Sequence, residues 1–265
     1  MTDSMQRIAV GVEYDGSAFS GWQWQDGARS VQDEVEKALG KVADHPVRVA
    51  CAGRTDAGVH ATGQVVHFDT TAVRAPKSWI FGANSNLSKH VAVLWVKDVS
   101  SEFHARFSAV RRRYRYVIVN RGIRPTFLAG RTTWEYRPLD VGAMSEAAQC
   151  LVGSHDFSSF RALACQAKSP VREIHSLEVS RHGEFIVLEV EANAFLHHMV
   201  RNIAGVLMDI GAGKQPTAWA REVLLARDRT LGGVTAQPGG LYLVKVYYPE
   251  QFDLPQRVSA TTVFP

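Results

Sequence analysis

The stretch Arg7-Ile8-Ala9-Val10-Gly11-Val12-Glu13-Tyr14-Asp15-Gly16 sets the reading of the fold. Ile8, Val10, Val12 and Tyr14 alternate with Ala9, Gly11 and Glu13, the period of two that a strand with one buried face requires. Asp15-Gly16 then reads as a turn. Working outward, Ser30 with Asp33 three residues on has capping-box spacing. Val31, Val35, Ala38, Leu39 and Val42 follow as one apolar helical stripe, whose end Gly40 interrupts. Strands are predicted around Val47–Ala52 and Gln64–Asp69, joined by a polar loop, Gly53–Gly63. A helix over Pro76–Ala83 and a strand over Val91–Lys97 complete the first half.

The second half repeats the grammar. A strand is expected over Val110–Asn120, a helix from an Asp140 cap to about Val152, and strands over Ile174–Ser180 and Phe185–Glu191. An amphipathic helix carries Phe195, Met199, Ile203, Val206, Leu207 and Ile210 on its buried face. Trp219–Arg227 reads as helix and Leu241–Tyr247 as a closing strand. The halves share a strand–helix–strand rhythm without residue identity. The expected class is α+β: two α+β units meeting near Phe103–Ser108, with a mixed, mostly antiparallel sheet flanked by helices.

Composition narrows the function classes. At 265 residues the chain can bury a substantial core, and 46% hydrophobic with 21% charged residues is ordinary for a globular protein. No apolar run approaches the roughly 18 residues of a membrane helix, and Met1–Val10 lacks a signal-peptide core, so a cytoplasmic protein with no membrane partner is expected. Cys51, Cys150 and Cys165 are scattered without a C-x-x-C pair, which reads as buried reduced thiols rather than a disulfide framework or zinc site. The charge of +4 permits a polyanionic partner without establishing one. Of 30 basic residues 22 are Arg, whose planar fork suits phosphates and base edges, although a GC-rich genome would give the same excess.

Three segments carry candidate chemistry. Cys51-Ala52-Gly53-Arg54-Thr55-Asp56-Ala57-Gly58-Val59-His60 presents a carboxylate in a glycine-bounded loop directly between two strands. Glycines permit close backbone approach, and a carboxylate enclosed with a substrate needs a neighbouring cation to stay ionised, a part Arg54 can play. Taken alone, Thr55-Asp56-Ala57-Gly58 is more often a plain turn. Arg111-Arg112-Arg113-Tyr114-Arg115-Tyr116, if a strand, sets Arg111, Arg113 and Arg115 on one face and Arg112, Tyr114 and Tyr116 on the other. Interleaved arginines and rings suit nucleic acid; a charge-guarded edge strand reads equally well. In Asn193–Asn202, His197 and His198 would point about 100° apart on a helix, a poor chelating pair, so capping or RNA contact is expected and no metal. Arg201 lies one turn after His197. Gly211-Ala212-Gly213-Lys214-Gln215 lacks the Ser/Thr and first glycine of a phosphate loop, and no G-x-S-x-G elbow occurs.

In order along the chain, these and neighbouring blocks resemble the TruA family of tRNA pseudouridine synthases. The match runs through Glu13-Tyr14-Asp15-Gly16, Gly21-Trp22-Gln23, Ser30-Val31-Gln32, Gly53–His60, Gly63–Phe68 and Phe103–Ser108. It continues through Tyr114-Arg115-Tyr116, Asp156–Phe160, Ala192–Asn202 and Gly240–Leu243, covering about residues 7 to 250. The resemblance implies the pseudouridine synthase fold, a homodimer, no cofactor and no metal. It also implies isomerisation of uridines 38, 39 and 40 of the tRNA anticodon stem-loop. Residues 1–105 are then expected to form an N-terminal domain carrying the Asp loop, and residues 106–265 a C-terminal domain completing the cleft. By resemblance Asp56 is the catalytic nucleophile, Arg201 the partner of its carboxylate, Tyr114 the ring that stacks on the target base, and Arg54 the residue that displaces the target nucleotide.

Two other classes compete. A pure RNA-binding module would use Asp56 only as a turn residue. A metal-dependent nuclease or hydrolase would draw on Asp56, His60 and His67 and lose activity to chelators.

Overall fold

The structure, a computed structural model, describes residues 5–163 and 165–255. In chain order its elements are β1 Gln6–Tyr14, α1 Val31–Ala43, β2 Ala50–Cys51, β3 His60–Thr70, α2 Pro76–Asn84 and β4 Val91–Val99. There follow β5 Arg111–Asn120, β6 Thr133–Glu135, α3 Val141–Gln149, β7 Gly153–Asp156, β8 Val171–His182 and β9 Phe185–Ala192. The last are α4 Met199–Gly211, α5 Trp219–Ala226 and β10 Leu241–Tyr247. Among the described residues no helix is long and apolar enough to cross a membrane.

The chain forms two compact units, residues 5–110 with 243–255, and residues 111–242. Both are α+β; β1 pairs antiparallel with β3 and β4, β2 with β3, β9 with β5 and β8, and β7 with β8, while β6 runs parallel to β5. The return of the last strand to the first unit is a connection that hydropathy does not reveal.

In the first unit β1 lies between β3 and β4. Ile8, Val10 and Val12 are fully buried as alternation requires, but so is Ala9, so β1 is covered on both faces. The Ser30 hydroxyl accepts from the Asp33 N–H at 3.3 Å and starts α1. Gly40 does not end that helix: it continues to Ala43 and stops at Asp44, whose left-handed φ of 60° breaks the spiral. Val35 and Leu39 are fully buried beneath it, each contributing about 1.5–3 kcal/mol of burial. The start of the Phe103–Ser108 block is tied down by Arg7, which forks onto Asp69 at 2.7 and 2.8 Å. The same guanidinium donates to the carbonyls of Ser101 and Phe103 at 2.6 and 2.9 Å. Hydrogen bonds from Arg7 hold the Asp69 carboxyl below its ordinary range.

The second unit orders its strands β5-β9-β8-β7, with β6 beside the far half of β5. Asp140 caps α3, accepting from the Ala143 N–H at 3.1 Å, and the helix ends at Gln149 rather than near Val152. α4 differs from the expected amphipathic helix in two ways. It starts only at Met199, leaving Phe195 outside, because His198 sits in the left-handed region at φ 63°. It is also buried nearly all round, since Val200, Ala204, Gly205 and Met208 are covered as well as Met199, Ile203, Val206, Leu207 and Ile210. Of the thiols, Cys51 is buried, whereas Cys150 and Cys165 are only half-buried. Burial pushes the Cys150 thiol up, so it stays protonated.

Candidate active site

The Asp56 loop is shorter than expected, because β3 begins at His60 and already pairs with β1 at Tyr14 opposite Ala61. Thr62 and Gly63, polar enough to read as loop, are thus strand residues, and Asp56 hangs in a span of eight residues, 52–59. Antiparallel pairing sets Ala50 opposite His67 and Cys51 opposite Val66, and the Ala52 N–H continues to the Val65 carbonyl at 2.8 Å. The loop then turns through Ala57-Gly58, with the Val59 N–H donating to the Asp56 carbonyl at 3.1 Å. Gly58 has φ 78°, a conformation that L side chains rarely adopt.

Neighbouring backbone presses on this loop. The Trp22 N–H donates to the Thr55 carbonyl at 3.0 Å. A Cβ on Gly16 would lie 1.9 Å from the Val59 carbonyl oxygen, so the Asp15-Gly16 turn can approach only as glycine. The Gly16 N–H donates to Nδ1 of buried His60 at 3.0 Å. That bond makes Nδ1 an acceptor, so the 3.3 Å approach of Asp15 Oδ1 to the same atom is not an ion pair. Asp56 itself is half-buried and Arg54, two residues earlier in the same loop, is exposed.

His67 does not join this site. It lies seven residues along β3 from His60, about 23 Å at roughly 3.3 Å per residue. Its Nδ1 accepts from the Ala105 N–H at 3.1 Å. Burial, with the nearby His104 and Arg7 charges, lowers its pKa to about 4, so it is a neutral structural residue at pH 7. The grouping of Asp56 with His60 and His67 as one metal set is therefore corrected.

In the second unit β5 has the expected period of two: Arg112, Tyr114 and Tyr116 are buried on one face. The opposite face is an ion-pair ladder. Arg113 lies opposite Glu191 and Arg115 opposite Glu189. Arg111 and Arg113 reach Glu191 at 2.6 and 2.9 Å, and Arg115 reaches Glu189 at 2.8 Å. These arginines are thus engaged within the sheet, and β5 is flanked by β9 and, from Ile118, by β6, so it is not a guarded edge there.

Tyr114 packs edge-on against Phe195, with centroids 4.9 Å apart. One step along the same face, Tyr116 donates to the Gln237 carbonyl at 2.8 Å. Burial pushes its phenol up, against opposing pulls from the Thr133 hydroxyl and the Arg201 charge. Arg201 projects from the first turn of α4, which packs on β5, and its Nε donates to the Ala236 carbonyl at 2.8 Å. The fold therefore sets Tyr114 on β5 and Arg201 on α4, two elements that pack together in the second unit, while Asp56 and Arg54 share the loop of the first. His197 and His198 precede α4, with ring centroids 4.0 Å apart. Neither is within the helix, so the 100° separation expected of helical neighbours does not apply to them.

Missed from sequence were Tyr14, Thr55 and Gln64. The Tyr14 and Thr55 hydroxyls meet at 2.8 Å beneath the Asp56 loop, and Gln64 is wholly buried beside them. The readable signal was a glutamine set directly before the apolar pair Val65-Val66 of a strand.

Comparison with known proteins completes the picture. A family model described as tRNA pseudouridine synthase matches residues 10–108 and 147–249. A protein of Nitrosococcus oceani named tRNA pseudouridine synthase A is 62% identical over 258 residues, covering 97% of this chain and 100% of that protein. The like-named protein of Pseudomonas aeruginosa is 61% identical over 254 residues, covering 96% of this chain and 89% of its own. That of Alcanivorax borkumensis is 61% identical over 252 residues, covering 95% and 94%.

Proposed function

Because the chain belongs to the tRNA pseudouridine synthase family, we propose that it isomerises uridines 38, 39 and 40 of the tRNA anticodon stem-loop. The observation that carries this reading is the family match itself, which spans the Asp56 loop and α4 in the order expected.

The reaction breaks N1–C1′, turns the base and joins C5 to C1′; N1 gains a proton and C5 loses one. Product and substrate share one composition, so the chemistry requires no redox carrier and no second substrate. Within a stem the glycosidic bond is out of reach, so the target nucleotide leaves the stack. In the proposal Arg54 fills the vacated space and Tyr114 stacks on the extruded base. Support for Tyr114 is its ring, held edge-on by Phe195. Asp56 is the attacking carboxylate, and its support is the loop that leaves a half-buried carboxylate on a fixed backbone. Attack at C1′, attack at C6 and proton abstraction at C2′ all satisfy the bond count. Arg201 is the partner of the Asp56 carboxylate in the reacting state. On the same family resemblance the enzyme is a cytoplasmic homodimer working without metal or cofactor.

The test is positional. Unmodified tRNA transcripts with a single uridine at 38, 39 or 40 are incubated with enzyme, and pseudouridine is mapped by carbodiimide adducts that stop reverse transcription. Stops at all three positions are expected; stops confined to another arm would refute the assignment. Sedimentation equilibrium checks the dimer, which a monomer mass at micromolar concentration would contradict.

A further inference from the structure

We propose that Tyr14, Thr55 and Gln64 form a buried clamp that positions the Asp56 carboxylate, and that the clamp acts on turnover rather than on tRNA affinity. The inference rests on the reading of Asp56 as the catalytic carboxylate.

The pairing register explains the clamp. Continuing the ladder of β2 with β3 beyond Cys51 opposite Val66 would set Gly53 opposite Gln64. No backbone rung falls at that pair, because the Ala52 N–H to Val65 carbonyl bond sets the rungs at alternate residues, and the side-chain amide of Gln64 serves Gly53 instead: its Nε2 donates to the Gly53 carbonyl at 2.7 Å, and its Oε1 accepts from the Gly53 N–H at 3.4 Å. Both polar groups of Gly53 are thereby satisfied while the chain peels away from β3 toward Asp56. Gln64 Nε2 also lies 3.4 Å from the Tyr14 hydroxyl.

Two residues on, Thr55 is fixed twice. Its hydroxyl meets that of Tyr14 at 2.8 Å, and its carbonyl accepts from the Trp22 N–H at 3.0 Å. Tyr14 is anchored in β1 opposite Ala61 and leans on Trp22, with centroids 5.8 Å apart. Gln64, Tyr14 and Thr55 are 0%, 4% and 8% exposed, so water does not readily replace these bonds. Residues 53 and 55 are thus held on either side of Arg54, and Asp56 leaves the clamp with mainly its own side-chain torsions to set. None of the three side chains is assigned contact with the reacting base. They are positioning residues, comparable to the outer partners that orient ligating side chains, whose loss commonly costs about 10–100-fold.

The experiment measures single-turnover rate, tRNA dissociation constant and melting temperature in Tyr14→Phe, Thr55→Val, Thr55→Ser and the Tyr14→Phe/Thr55→Val double variant. Tyr14→Phe keeps the ring against Trp22 and removes one hydroxyl. Expected are a fall of about tenfold in rate for Tyr14→Phe and for Thr55→Val, and tRNA affinity within about twofold of wild type. The double variant should be no slower than the slower single, and Thr55→Ser should recover the rate. Rates within twofold of wild type would overturn the clamp, as would losses that multiply in the double variant or follow tRNA affinity. Asp56→Asn is measured alongside: full turnover in that variant would remove the parent assignment, whereas its loss with normal Tyr14→Phe and Thr55→Val rates would remove the clamp alone.

Discussion

Substituting Gly16 by alanine would disturb the Asp56 loop without touching any side chain assigned to chemistry. The new Cβ would lie 1.9 Å from the Val59 carbonyl oxygen and 2.5 Å from its carbon, where real Cβ contacts stay above 3.0 Å. The obstacle is backbone, so no rotamer change relieves it, and one segment must give by about 1 Å. Movement on the loop side passes directly to Asp56, because the Val59 N–H holds the Asp56 carbonyl at 3.1 Å. Movement on the turn side strains the 3.0 Å bond from the Gly16 N–H to His60. Overpacking of this kind costs about 1–3 kcal/mol, which lowers the melting temperature of a chain this size by about 2–10 °C. A catalytic group displaced by about 1 Å loses up to about 100-fold in rate. Tritium release at saturating tRNA, with a thermal melt, measures both. Gly122→Ala serves as the control, since nothing lies within 4 Å of its added Cβ. Wild-type turnover and melting in Gly16→Ala would refute the reasoning.

Three further outcomes are expected. His67 is held near pKa 4 in the fold against 6.5 unfolded, so between those values the unfolded state binds the extra proton. Stability is therefore full above pH 6.5 and declines as pH falls toward 4, by about 2–3 kcal/mol at about 1.4 kcal/mol per pH unit. In urea unfolding between pH 7 and 4.5, His67→Gln should lose about 2 kcal/mol less than wild type; an equal loss would contradict the cause. Arg113 is bound to Glu191 at 2.9 Å, so Arg113→Ala should leave the slope of log affinity for tRNA against log salt unchanged; a slope shallower by about 1 would make it a phosphate contact. Buried Asn202 donates to the Phe160 carbonyl at 2.7 Å and accepts from Thr235 and Arg229 at 2.7 and 3.1 Å. Asn202→Ala should cost about 2–3 kcal/mol in denaturant unfolding by orphaning those partners, and a loss under 0.5 kcal/mol would contradict it.

What was legible in the sequence was whatever local chemistry decides. Ser30 and Asp140 read correctly as caps because a short oxygen at that position satisfies an orphan N–H wherever the helix lies. β10 read to the residue, its apolar run bounded by glycine and proline. What was lost depended on partners distant in sequence. β3 extends through polar Thr62 and Gly63 because β1 is there to pair with it, and α4 is buried beyond its expected stripe, at Val200, Ala204, Gly205 and Met208. The arginine row of β5 invited a phosphate reading until the register set Glu189 and Glu191 opposite it. Asp56 was conspicuous because its loop falls in an ordered series of blocks that resembles one family; alone, the loop reads as a plain turn. Gln64 was not, because only the β2–β3 register shows that its amide lies against the Gly53 backbone and bonds it.

The most direct measurement is tritium release from tRNA carrying [5-³H]uridine, with EDTA present, for wild type and Asp56→Asn. Joining C5 to C1′ must expel the C5 hydrogen, so the account predicts release by wild type in EDTA and none by Asp56→Asn, with tRNA binding intact in both. Release by Asp56→Asn at the wild-type rate, or a wild type that binds unmodified tRNA without releasing tritium, would contradict it.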